Sequence, residues 1–299
     1  MNFADRLAAA VAQKGAALCV GLDPRIDLLP PALIAGLKPG RAGRARAYER
    51  FCQGVIDAVG PCAAAVKPQV AFFEALGGYG LTALERVCDH ARAAGLLVIA
   101  DAKRGDIGST AAAYAEAWLY PRDGQPAVAD ALTVSPYMGG DSLEPFLNAC
   151  GGGSGLFVLA RTSNPGSADL QELLTEDGRP LWERTAELID GWGARFVGQS
   201  GLSSVGAVVG ATQPSAVARA RELMPRAVLL LPGVGAQGGR AADLAPAFRD
   251  HPAGGLVVDA RSVIYAWRER AGDWQQAVRG AAEELALQAR AAGAGPTGS

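Results

Sequence analysis

Apolar residues fall into two patterns along this 299-residue chain: short unbroken runs, and stripes at helical spacing. Unbroken runs read as strands buried on both faces, whereas recurrence at three and four residues marks a helix with one apolar side. Runs of the first kind occupy residues 17–23, 63–68, 96–100, 131–135, 155–160, 205–209, 227–232 and 255–259. Helices are predicted between them. Phe3, Leu7 and Val11 give an amphipathic helix over 2–14, ended by Gly15. Tyr48, Phe51, Cys52, Val55, Ile56 and Val59 give one over 44–59, and Leu81, Leu84, Val87 and Cys88 one that stops at Gly95. Others are predicted over 109–119, near 180–192 and from Pro214. At the C-terminal end, Asp273 caps a stripe of Trp274, Val278, Ala281 and Leu285.

Strands alternating with helices imply a parallel sheet covered on both faces, and eight is the number that closes into a barrel. No linker-like stretch divides the chain, and no repeat is visible beyond this alternation. The predicted fold class is therefore α/β, a single (β/α)8 TIM barrel over residues 1–292. Residues 293–299 are small and polar and read as a disordered tail.

Composition narrows the function. Hydrophobic residues make up 49% and charged ones 19%, enough for a large core. A net charge of -2 excludes bulk electrostatic capture of nucleic acid, so any phosphate binding must be local. Cys19, Cys52, Cys62, Cys88 and Cys150 are odd in number, form no Cys-x-x-Cys pair and have apolar neighbours. They read as free thiols in a reducing compartment. His90 and His251 lack metal-ligand spacing. No stretch is long and apolar enough to span a bilayer, and Asp5, Arg6 and Lys14 do not suit a signal peptide. The expected location is cytoplasmic.

Chemistry-bearing residues gather at strand ends, where barrels of this class carry their sites. The third run leads into Asp101-Ala102-Lys103-Arg104-Gly105-Asp106-Ile107-Gly108-Ser109-Thr110. Side chains alternate along a strand, so Asp101 and Lys103 share a face; Gly105 then lets the backbone turn and Asp106 returns an acid towards Lys103. Capping of the next helix would account for Ser109 or Thr110, but not for an Asp and a Lys on one strand face. Other strand ends supply Asp23, Lys67, Ser135, Pro232 and Asp259-Ala260-Arg261. Singly, Lys67 reads as a snorkelling surface lysine and Asp23 as the start of a turn before Pro24. Together they form a constellation. Gly233, Gly235 and Gly238 spell Gly-x-Gly-x-x-Gly after the seventh strand, with Asp259 downstream. A dinucleotide site is one reading. The position after strand seven of eight, with Arg261 beside Asp259, favours a phosphate monoester held by backbone N–H groups and an arginine.

Asp-x-Lys-x-x-Asp-Ile-x-x-Thr over residues 101–110 resembles the orotidine 5'-phosphate decarboxylase family, and the likeness, closest to its longer bacterial branch, runs from about Leu18 to Trp267. The resemblance implies a homodimeric lyase that converts orotidine 5'-phosphate to UMP and CO2 without cofactor or metal. It implies that Asp23 holds a ribose hydroxyl, that Lys67 joins a charged array, and that Asp101 and Lys103 lie at the reacting carbon. Asp106 and Thr110 would complete the partner subunit's site. Ser135 would contact the pyrimidine amide, Gln237 would close over the phosphate, and Arg261 would bind it beside Pro232, Gly233 and Ala260. Many relatives have Gly where this chain has Ala260. The Asp-x-Lys-x-x-Asp core is shared with sister sugar-phosphate decarboxylases and hexulose-phosphate synthases, which place a magnesium-binding acid at the second strand's end. Lys67 stands there in this chain. A catalytically silent phosphate-binding barrel is the remaining alternative. Arg161-Thr162-Ser163-Asn164-Pro165-Gly166 also resembles the longer branch, with no chemistry assigned.

Overall fold

The apolar runs pair in sequence order. In the computed structural model, which describes residues 1–235 and 238–293, the strands are β1 (Leu18–Leu22), β2 (Ala65–Pro68), β3 (Leu97–Arg104), β4 (Ala131–Val134), β5 (Gly155–Arg161), β6 (Ser203–Val209), β7 (Ala227–Pro232) and β8 (Gly255–Asp259). Each lies parallel to the next, and β8 closes on β1 through Leu18↔Val257 and Val20↔Asp259. The fold is the predicted eight-stranded parallel barrel. Its strands are apolar on both faces because one face packs the barrel interior and the other packs the helices.

Most helices follow the predicted stripes. They span Phe3–Lys14, Arg41–Val59, Gly78–Ala93, Gly108–Leu119, Leu181–Gly193, Pro214–Leu223 and Trp274–Gly293. The Asp273 carboxylate accepts from the N–H groups of Gln275 and Gln276, as the predicted cap requires. The last helix runs to Gly293, and residues 294–299 of the expected tail lie outside the described residues. A helix over Gly140–Gly151 and a 3-10 segment over Ala241–Phe248 fill the two remaining strand connections.

The N-terminal helix plugs the barrel floor, with Phe3 edge-on to Phe157 at 5.9 Å. On the flank, Arg221 is a fully buried cation whose guanidinium donates to the carbonyls of Met224, Pro225, Ala227, Ala247 and Gly254. Its charge is dispersed over carbonyl dipoles, and burial lowers its pKa to about 10. All of this leaves the C-terminal strand ends free to form a cavity.

Candidate active site

A cavity of about 490 Å³ opens at the C-terminal mouth of the barrel. Asp23, Lys67, Asp101, Lys103 and Arg261 all line it, as do Pro232, Gly233 and Ala260. Residues that are remote in sequence meet there because the strand ends converge.

Asp101 organises the floor. Its Oδ2 accepts from Lys67 Nζ at 2.5 Å and from Gln69 Nε2 at 3.2 Å. Its Oδ1 accepts from Lys103 Nζ at 2.5 Å and from Thr133 Oγ1 at 3.1 Å. Four donors saturate the carboxylate's lone-pair sites. Burial alone would raise the Asp101 pKa, but the two ammonium groups and their hydrogen bonds outweigh it and hold the carboxyl well below the usual range. Lys67 is buried rather than snorkelling. Burial acts to lower its pKa, and Asp101 with Asp23 overcomes that and raises it.

The strand carrying this pair is irregular. Ala100 pairs with Leu132 and Arg104 with Val134, so β3 spends more residues than β4 over the same span. Within that bulge Lys103 adopts φ +49°, a left-handed conformation that costs a non-glycine residue about 1–3 kcal/mol. The kink at Lys103 lies inside β3, and the chain leaves the strand after Arg104, at the expected Gly105. The Lys103 ammonium remains accessible, with its side chain 47% exposed.

Asp23 contrasts with Asp101. Its Oδ1 is buried without a hydrogen-bond partner, and burial raises its pKa against the opposing pull of Lys67. Buried carboxylate oxygens are ordinarily hydrogen-bonded, so this one is exceptional.

On the opposite wall, Gly233 and Gly235 take φ +105° and +72°, and a Cβ on Gly235 would collide with the Asp259 carboxylate. Asp259 is itself bound by the Ser262 hydroxyl, which ties the β8 turn behind the β7 loop. Arg261 reaches the cavity from this turn and makes no ion pair among the described residues. Gln237 lies outside the described residues.

Three predicted residues stand apart from the cavity of their own chain. Asp106 accepts from the Ile107 N–H, and Thr110 is exposed on the following helix. Ser135 is half-buried outside the cavity lining, because β4 ends at Val134 and the Ser135 N–H is drawn to the Arg104 carbonyl. Thr133 takes the position inside β4. Sequence reasoning missed Thr133 and Gln69. It also left unassigned the segment after β5, which brings Thr162, Ser163 and Asn164 to the cavity wall. Buried Arg161 clasps that segment through Ser167, Gln171, Gln213 and Glu172.

Comparison with known proteins places this geometry. A model of the orotidine 5'-phosphate decarboxylase / HUMPS family matches residues 16–286. An orotidine 5'-phosphate decarboxylase of Rhodopirellula baltica is 45% identical over 296 residues, covering 95% of this chain and 98% of that protein. One of Deinococcus radiodurans is 44% identical over 289 residues, covering 95% and 97%. The structure of Leishmania donovani OMP decarboxylase superposes with a TM-score of 0.75 at 36% identity, covering 98% of both chains. With a family model matching residues 16–286 and a relative 45% identical along almost its whole length, the chain belongs to the orotidine 5'-phosphate decarboxylase / HUMPS family.

Proposed function

We propose that this chain decarboxylates orotidine 5'-phosphate to UMP and CO2, the closing step of pyrimidine nucleotide synthesis, with Lys103 as the group that steadies and protonates C6. The observation that carries the reading is the Lys67–Asp101–Lys103 array: one saturated carboxylate holding two ammonium groups at the cavity floor.

The reaction breaks the C6–carboxylate bond, leaves the electron pair in an sp2 orbital on C6 and releases CO2. The ring π system cannot delocalise that pair, so the stabilisation must be electrostatic. Lys103 Nζ donates a proton to C6 and recovers one from solvent, to which it is open. Asp101, fixed by its four donors, cannot swing away from the substrate carboxylate, and the repulsion is relieved as CO2 departs.

Magnitudes show that Lys103 does not act alone. One ammonium at ~4 Å in an effective dielectric of ~20 contributes about 4 kcal/mol, whereas enzymes lower barriers by about 8–23 kcal/mol. The balance falls to the preorganised floor and to binding energy from the remote phosphate at Arg261 and the β7 loop. Asp23 Oδ1 receives a ribose hydroxyl, and the Ser163–Asn164 wall, rather than Ser135, meets the pyrimidine edge.

The active form is a homodimer in which Asp106 and Thr110 enter the partner's cavity. Their displacement from their own site supports this, as do the exposed apolar side chains of Ile107, Tyr137 and Met138 on the same rim. Four of the five cysteines are buried and all are free, which fits the cytoplasm. No helix among the described residues is long and apolar enough to cross a membrane.

The test is direct. Purified chain mixed with orotidine 5'-phosphate in EDTA should convert it to UMP, followed by ultraviolet absorbance, and Lys103→Ala should lose nearly all of that activity. Abolition by EDTA would favour a magnesium-dependent sister activity, and full activity in Lys103→Ala a non-catalytic barrel.

A further inference from the structure

We propose that Thr133 is a positioning residue whose single hydroxyl sets the pose of Lys103 against Asp101. Three observations meet at this side chain. Thr133 sits on β4 between Leu132 and Val134, the two residues whose partners on β3 flank the bulge. The Lys103 N–H, turned out of the regular ladder where φ is +49°, donates to Thr133 Oγ1 at 2.9 Å. The same oxygen carries its proton towards Asp101 Oδ1 at 3.1 Å, with the Ala100 carbonyl farther off at 3.5 Å. Thr133 is 1% exposed, so water cannot replace it.

These contacts close a ring: Thr133 Oγ1 to Asp101 Oδ1, Asp101 Oδ1 to Lys103 Nζ, and Lys103 N–H back to Thr133 Oγ1. A hydroxyl can serve both links because it accepts and donates at once. A valine of the same shape can do neither. Without the oxygen, the Lys103 N–H loses its partner, and the left-handed conformation loses the bond that compensates for it. Relaxation of Lys103 would then withdraw its ammonium from the reacting carbon. The packing of β4 would be untouched, since valine suits a buried strand.

The kinetic arm of the test rests on the decarboxylase reading; the structural arm does not. Thr133→Val should lower kcat by about 10–100-fold while KM stays within about threefold, because the lost bonds act on geometry rather than on substrate binding. Thr133→Ser, which keeps the hydroxyl, should stay within about fivefold of the parent. If Thr133→Val does not yield folded protein, Thr133→Ala replaces it with the same expectation. A kcat for Thr133→Val within about twofold of the parent, or a serine variant as slow as the valine one, would overturn the proposal. In a crystal structure of Thr133→Val, Lys103 should leave positive φ. Retention of that conformation together with the Asp101 contact would overturn the proposal whatever the rates. Should the parent chain not act on orotidine 5'-phosphate at all, the decarboxylase reading falls, and the Lys103 conformation in the variant still decides the role of Thr133.

Discussion

Lys67 Nζ donates to Asp101 Oδ2 at 2.5 Å with both side chains less than 10% exposed, so the floor of the cavity is a buried ion pair. Such pairs contribute little net stability when intact and are costly when halved. Asp101→Ala should therefore destabilise the fold by about 3–5 kcal/mol by stranding Lys67, as read from urea unfolding. Replacing both partners with apolar residues, as in Lys67→Met with Asp101→Leu, should recover much of that loss while activity stays absent. The acid limb follows from the depressed Asp101 pKa. The folded state binds fewer protons than the unfolded one, so this contribution is fully present above the unfolded Asp value of about 3.9 and is lost as pH falls. In Lys67→Met the slope of stability against pH below about 4 should flatten.

Asp23 carries the opposite sign. Its folded pKa is raised, so the folded state holds its proton longer than the unfolded state. Stability then declines as pH rises from the ordinary carboxylate value through the folded one, and above that window the residue is a standing penalty. Asp23→Asn should make the substrate-free protein more stable at pH 7, measured by thermal unfolding. The same change should reduce kcat/KM by about 10–150-fold, the range for loss of a hydrogen bond to a charged group. Equal stability at pH 7 and pH 4 in parent and variant would contradict it.

How much of this was legible in the sequence depended on contrast. Asp23, Lys67, Asp101 and Arg261 were visible because each interrupts or ends an apolar run with a charge, and in a parallel barrel that position points to the mouth. Thr133 was not, because a threonine inside Ala131–Val134 reads as one more β-branched strand residue. Gln69 sits one residue past β2, where an uncharged side chain after Pro68 carries no signal, although it bridges to Asp101. The left-handed Lys103 left no trace either, because nothing about a lysine inside a strand signals a positive φ. Arg221 lies on a helix with Arg219 and Glu222, where nothing in the sequence marks one arginine as buried, and only the carbonyls converging from three segments explain its burial.

Arg261 tests whether remote binding energy reaches the chemistry. Arg261 lines the cavity and forms no ion pair among the described residues. Arg261→Ala should lower kcat/KM for orotidine 5'-phosphate by about 10–150-fold, as expected for a charge-assisted phosphate contact. For orotidine, which lacks the phosphate, parent and variant should react alike. Gln237, placed over the phosphate by resemblance, should behave in the same way on change to alanine. Unchanged kinetics in both variants would remove the remote-grip argument.

The dimer can be tested by complementation, because Asp106 and Lys103 serve different cavities in the proposed assembly. Asp106 stands outside its own chain's cavity while Lys103 lines it, although only Arg104 and Gly105 separate them in sequence. Homodimers of Asp106→Ala and of Lys103→Ala should each be nearly inactive, since every site lacks one group. Dissociated and reassociated together, they form hybrids in which one site loses both groups and the other keeps both. Random pairing makes half of the dimers hybrid, each with one intact site in two, so activity should return to about a quarter of the parent's. If Asp106 instead served its own chain, every hybrid site would still lack one residue and mixing would restore nothing. The two arrangements differ by recovery to about a quarter of the parent's activity against none, and steady-state assay of the mixed sample distinguishes them.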